Sequence, residues 1–157
     1  MDNQKKQDFT RRLSQCNQGG MIIIIYDIFF AYIDDVRKAK ETENDSDYKT
    51  GLRKAQETLD ELIHALNFKY EIAGTLYPLY MYCKNLLAKA MYEHRLEKVD
   101  EAENIMRRLY SSFEEAAKQD TSGPIMSNAQ QVYAGMTYGK FDLNEDYTDN
   151  THRGFLV

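Results

Sequence analysis

The sequence has little cysteine, little proline, no tryptophan and no excess of positive charge. Its two cysteines, Cys16 and Cys83, lie far apart and outside any CxxC or Cys/His spacing, which argues against a zinc site and against a disulfide framework. The formal net charge of −5 provides no basic face of the kind that nucleic-acid-binding proteins present. We therefore expect reduced thiols, a cytoplasmic location and no nucleic-acid partner.

A hydrophobic run long enough to cross a bilayer is also missing. The most apolar stretch, residues 21–33, contains Asp27 and falls short of the roughly 20 apolar residues that a membrane span requires. Basic residues precede this run as in a signal peptide, but acidic residues follow it directly and no small-residue cleavage pattern is present. We expect no membrane insertion and a single domain of ordinary size with its own core.

Apolar residues recur at steps of three and four in four segments, which is the period of amphipathic helices. The predicted helices cover residues 18–40, 47–68, 72–95 and 98–119. Pro78 falls inside the third helix and is expected to break it near residues 74–78, because proline removes a helical hydrogen bond. Four helices joined by short polar links predict an all-α fold, an antiparallel up-and-down four-helix bundle.

The segments on either side of this bundle have a different character. Residues 1–17 are polar and are predicted to be a mobile N-terminal segment, and residues 18–119 form the bundle domain. The C-terminal tail, residues 120–157, opens with the helix breaker Ser-Gly-Pro and is predicted to be irregular. It keeps many apolar residues, among them Tyr133, Met136 and Tyr138, so part of it is expected to dock on the bundle.

Two of the predicted helices carry more apolar surface than one core face requires. In each helix a second strip lies beside or opposite the core stripe, and the two strips consist of Met21, Ile24, Ile28 and Tyr32, and of Tyr77, Met81, Ala88 and Tyr92. Large contiguous apolar surfaces on monomers usually mark interaction sites. We predict that these eight residues contact a partner in grooves between helices. The alternative is that the strips are buried against each other or under the tail.

The strongest candidate for catalysis is the Glu61-x-x-His64 motif, whose spacing is used by carboxylate-bridged di-metal bundles. Relative to the core stripe, Glu61 and His64 lie about 200° and 140° around the helix, so both should point away from the bundle centre. The sequence contains no second such motif, no activated nucleophile and no phosphate-binding glycine loop. We expect no enzyme activity, no metal and no cofactor. A metal-binding helical bundle enzyme and a structural homodimer remain alternatives.

Four landmarks in order resemble the flagellar export chaperone family FliS over residues 13–118. They are residues 23–27 with Phe29, Ala55-Gln56 with Leu59 and Leu62, residues 79–82 with Leu87 and Ala90, and Leu109 with Phe113-Glu114-Glu115. The resemblance implies a cytosolic chaperone that binds the C-terminal segment of flagellin, prevents its premature polymerisation and delivers it to the flagellar export machinery. An amphipathic client segment that folds on binding would lay its apolar side into grooves between helices.

Overall fold

The computed structural model describes residues 1–126, and this part of the chain contains five α-helices and no strand. The helices are α1 (Asn3–Gln15), α2 (Gln18–Glu41), α3 (Asp45–His64), α4 (Glu71–Glu93) and α5 (Leu96–Gln119). The all-α prediction is confirmed, with one helix more than the four predicted. The tail from residue 127 onward, with the docking predicted for it, lies outside the described residues.

Helix α1 lies within residues 1–17, for which no helix was predicted, and the mobility predicted for this segment stays a prediction. It begins at an N-cap in which the Asp2 side chain accepts a hydrogen bond of 2.7 Å from the backbone N–H of Lys5. Its apolar residues are only Phe9 and Leu13, one turn apart and both half-buried. Two apolar residues are too few to produce a periodic stripe, so the helix depends on its contacts with α2, which hydrophobic patterning does not reveal.

Side-chain caps also set the starts of the next two helices. The Asn17 side chain accepts a hydrogen bond of 2.8 Å from the backbone N–H of Gly20, which confirms the predicted start of α2. The Asn44 side chain accepts one of 3.1 Å from Asp47 at the start of α3. Each cap satisfies an amide that the helix itself leaves unpaired. Within the described residues no helix is long and apolar enough to cross a membrane.

The four long helices surround one core. Helix α2 packs against α3 and α5, and α4 also packs against α3 and α5, while α1 lies on the outer side of α2. The largest fully buried side chains include Tyr26, Phe29, Ile33, Tyr48, Leu52, Leu59, Leu62, Tyr80, Leu87 and Met106. The buried tyrosines are satisfied because the hydroxyl groups of Tyr26 and Tyr80 lie 2.8 Å apart and Tyr48 donates to the carbonyl of Ala90 at 2.9 Å.

Individual contacts show which parts of the helices meet. Near the start of α2, Tyr26 lies beside Phe113 in the late part of α5, with ring centroids 5.6 Å apart. Near the end of α2, Arg37 forms an ion pair of 2.7 Å with Asp100 in the early part of α5. The start of α2 therefore lies at the same end of the molecule as the end of α5.

Helix α4 runs without interruption from Glu71 to Glu93, so the predicted break near residues 74–78 is wrong. The helix tolerates Pro78 because the ring lies on an exposed face, where solvent can reach the carbonyl of Gly74 that loses its partner. Gly74 has no side chain that could crowd this turn. Buried residues on the other side, Ala73, Leu76 and Tyr80, hold both halves of α4 against the core.

Candidate functional site

The second apolar strip of α2 is largely covered. Ile24 is only 4% exposed although it lies outside the central core cluster, and Met21, Ile28 and Tyr32 are half-buried. Ile24 shares its side of the helix with Asp27 and Ala31, because residues three and four apart lie on one helix face. Ala31 is likewise buried and outside the central cluster.

Helix α1 is the element that covers this side of α2. Arg12 forms an ion pair of 2.5 Å with Asp27, and the ammonium group of Met1 contacts Asp35 two turns further along α2. The Arg12 guanidinium also lies 5.6 Å from the centroid of the Phe9 ring, within the range of a cation–π contact. Helix α1 therefore runs back along the outer face of α2 and shields Ile24 from solvent.

The strip on α4 has no such cover within the described residues. Tyr92 is 85% exposed and Tyr77 is 41% exposed, while Met81 and Ala88 are half-buried. Tyr77 stacks edge-to-face on Phe68 of the connection between α3 and α4, with ring centroids 5.9 Å apart. An apolar surface lined by aromatic rings and a methionine suits contact with another apolar segment.

The structure does not bring the two strips together. Helices α2 and α4 are not neighbours in the ring of long helices, since each packs mainly against α3 and α5. The four predicted residues of α2 and the four predicted residues of α4 therefore lie on different sides of the molecule. They cannot line a single groove, and a partner that contacts all eight residues must pass around α3 or α5.

Sequence reasoning missed a group of exposed apolar residues beside the α4 strip. Phe68, Tyr70 and Ile72 are 65%, 67% and 62% exposed, and Tyr82 is 46% exposed. Ile72 matched the core period but lies in the first turn of α4, beyond the packed part of the helix. The signal for Phe68 and Tyr70 was the unusual placement of aromatic residues in a helix connection, where polar residues are the rule. These side chains extend the apolar surface toward the end of the molecule.

A second candidate surface is the groove between α1 and α5, above α2. It has a volume of about 1310 Å³ and its apolar lining comes from Phe9, Phe30, Ala31 and Tyr110. The guanidinium of Arg107 lies 4.4 Å from the centroid of the Phe30 ring and is held there by an ion pair of 2.6 Å with Glu103. The hydrophobic pattern of the long helices does not predict this groove, because the groove depends on α1.

Beneath this region, a charged cluster joins α2 to α5. Arg37 donates to Glu103 and pairs with Asp100, and the hydrogen bond to Glu103 is the main reason why the pKa of Arg37 is raised above its ordinary value. Glu103 is 9% exposed and accepts bonds from Arg37 and Arg107 together. Such an arrangement stabilises the contact between helices and offers no unpaired acid or base for chemistry.

The groups considered for catalysis are not assembled into a site. Glu61 and His64 are both exposed on α3, as their angular positions predicted, and residues 1–126 contain no group of three or more metal-ligating side chains. Burial raises the pKa of the Cys83 thiol to about 12, and it also raises the pKa of Cys16. Both thiols are therefore poor nucleophiles near neutral pH.

Comparison with known proteins identifies a family for this chain. A family model described as flagellar protein FliS matches residues 1–120, which is most of the chain and all five helices. A search of curated proteins finds no match. The matched range includes α1, which the resemblance drawn from individual landmarks, beginning at residue 13, had left out.

Proposed function

This chain belongs to the FliS family of flagellar export chaperones, and from that premise we propose that it binds the C-terminal segment of flagellin in the bacterial cytoplasm. In this proposal it prevents premature polymerisation of flagellin and assists its delivery to the flagellar export machinery. Catalysis has no part in this role. The contacts between α2 and α5 and between α3 and α4 support the proposed architecture, an antiparallel up-and-down bundle with α1 added to its outer face.

The observation that carries the proposal, beside the family, is the concentration of exposed apolar residues on and next to α4. All the large hydrophobic side chains that are well exposed in residues 1–119 lie between Phe68 and Tyr92. Isolated exposed apolar residues are common, but a contiguous set is typical of a binding surface. We assign the first contact of the client to Tyr77, Met81, Ala88 and Tyr92.

The strip on α2 would become available only when α1 moves. Few buried contacts and two ion pairs hold α1 in place, and such elements open at a lower free energy than the core does. A client segment that displaces α1 would gain contacts with Met21, Ile24, Ile28 and Tyr32. In this proposal α1 acts as an internal cover that occupies the second client surface until the client arrives.

Titration calorimetry with a peptide from the C-terminal segment of flagellin tests this function. We expect a one-to-one complex, and the substitutions Met81→Asp and Tyr92→Asp should each weaken it about tenfold or more, because each places a charge in an apolar contact. Lys89→Asp is the matched control, since Lys89 is exposed on the same helix outside the strip.

Two results would contradict the proposal. If the wild-type chain shows no binding to the peptide, the chaperone assignment fails for this client. If the peptide binds and Met81→Asp behaves like Lys89→Asp, the function stands but the strip on α4 is the wrong surface. Circular dichroism of each variant checks that the helices remain intact.

A homodimer is the second candidate, and the 85% exposure of Tyr92 favours it because a second copy could cover the same apolar surface. The flagellin peptide and the second copy would then compete. Light scattering after size-exclusion chromatography measures the molar mass of the particle. The mass of a dimer without peptide, and the mass of a one-to-one complex with peptide, would support this candidate. A monomer at every concentration excludes it.

A further inference from the structure

We propose that the groove between α1 and α5 is the docking site of the C-terminal tail of this same chain. Residues 127–138 would occupy the apolar part of the groove, and the acidic residues that follow would pair with the basic residues of α1. This inference does not depend on the proposed function, because it concerns the free protein. It rests on where the described chain ends, on the tail sequence and on the charges of the groove.

The described chain ends beside the groove. After α5, the Asp120 carboxylate accepts a hydrogen bond of 3.0 Å from the backbone N–H of Gly19, which ties the start of the tail to α2. The backbone N–H of Ile125 then donates to the carbonyl of Cys16 at 2.9 Å, directly after the end of α1. Cys16 is two residues from Ser14, which lines the groove. The next residues therefore start at one end of the groove.

The sequence that follows has the pattern that such a groove requires. Ala129, Val132, Tyr133 and Met136 recur at steps that place them on one face of a helix, and the opposite face carries Ser127 and Gln131 together with Ala134 and Tyr138. Residues 127–138 carry no charge. Twelve helical residues span about 18 Å, which equals the length of the α1 segment from Asn3 to Ser14 that lines the groove.

The basic residues of the groove are complementary to the acidic residues of the tail when the tail runs along α1 from Cys16 toward Asn3. The groove lining contains five basic and three acidic residues, although the whole chain is acidic. Lys5 and Lys6, at the end of the groove remote from Cys16, form no salt bridge within residues 1–126. A tail that runs along α1 from Cys16 would bring Asp142, Glu145 and Asp146, which follow the single Lys140, to the end of α1 that carries these lysines.

Docking of the tail would hold α1 on α2. Helix α1 has no buried residue of its own, so a segment packed against Phe9 from the other side would add apolar contacts that α1 now lacks. Because the tail is part of the chain, its effective concentration at the groove is high, and modest contacts suffice to keep it there.

Amide hydrogen exchange of the full chain, without any client, tests the proposal. The variant Val132→Asp with Met136→Asp should make the amides of α1 exchange about tenfold faster than in the wild type, because protection reports the free energy of local opening. The matched control, Gln130→Asp with Gln131→Asp, adds the same two charges on the polar side of the tail. It should leave exchange in α1 unchanged.

A charge exchange provides an independent arm. Lys5→Glu with Lys6→Glu should also speed exchange in α1, and adding Glu145→Lys with Asp146→Lys should restore the protection. Acidic residues near a helix N-terminus favour the helix, so the first variant does not weaken the helix itself. Restored protection in the second variant distinguishes loss of the tail from repulsion between the new glutamates and Asp27 or Asp34 of α2.

Three results would overturn the proposal. The first is equal exchange in α1 for the tail variant and the wild type. The second is a change confined to the region of Phe68 and Tyr77, which would place the tail on the α4 surface instead. The third is protection of α1 that rises with protein concentration, which would identify a second copy as the occupant.

Discussion

Loss of the ion pair between Arg12 and Asp27 should strengthen binding of the flagellin peptide. Arg12 belongs to α1 and Asp27 to the face of α2 that α1 covers, so this pair stabilises only the closed position of α1. If a client must displace α1 to reach the α2 strip, its apparent affinity is the intrinsic affinity multiplied by the fraction of open molecules. The substitution Arg12→Ala raises the open fraction and should therefore tighten binding.

The structure sets the size of this effect. The side chains of Arg12 and Asp27 are 36% and 25% exposed, so solvent screens the pair and it contributes about 0.5–1 kcal/mol. This corresponds to a gain in affinity of about two- to fivefold. Titration calorimetry in about 0.1 M salt would measure it. In about 1 M salt the difference between variant and wild type should shrink, because the screening length falls from about 10 Å to about 3 Å.

Arg11→Ala is the matched control. Arg11 is also an arginine of α1, but it pairs with Asp8 of the same helix at 2.6 Å and does not reach α2. Its loss should leave the affinity unchanged. The reasoning is refuted if Arg12→Ala binds the peptide no better than Arg11→Ala does. Weaker binding by Arg12→Ala would mean that α1 takes part in holding the client.

Three further predictions concern stability and reactivity. Gly51→Ala should lower the free energy of unfolding by about 1 kcal/mol, because the new Cβ would lie 2.7 Å from Cγ2 of the buried Val36. This cost outweighs the better helix propensity of alanine. In a urea titration, the double variant with Val36→Ala should lose less stability than the two single variants together. Pro78→Ala should raise the free energy of unfolding by about 1–3 kcal/mol, because it restores a helical hydrogen bond at a position where the proline ring is exposed. An unchanged midpoint of urea unfolding would contradict this prediction. A thiol-reactive dye at pH 8 should label Cys16 in the native protein and Cys83 only after unfolding. The reason is that Cys83 is buried and the pKa of its thiol is raised to about 12. Equal labelling rates of the two thiols would show that the core around α4 opens readily.

Hydrophobic period predicted the core face of each long helix because that face is a local property of the sequence. Tyr26, Phe29 and Ile33 recur at steps of three and four in α2, and all three are fully buried. Leu52 and Leu59 of α3 behave in the same way. A helix face that carries apolar residues every three or four positions is buried whichever helix comes to lie against it.

The errors arose where neighbouring elements outweigh local preference. Helix α1 has too little apolar surface to be recognised alone, and it is held by a cap and by ion pairs with α2. Pro78 should break an isolated helix, but buried residues before and after it keep α4 continuous. In both cases contacts that are remote in sequence decide the conformation.

The sequence by itself determined the number and inner faces of the long helices and the family to which the chain belongs. Only the tertiary structure decided how the surplus apolar strips are used: α1 covers Ile24 on one side of the molecule, while Tyr77 and Tyr92 stay open on another. Periodicity specifies which side of a helix is apolar. It does not specify which helix comes to lie against that side, because this depends on the order in which the helices pack around the core.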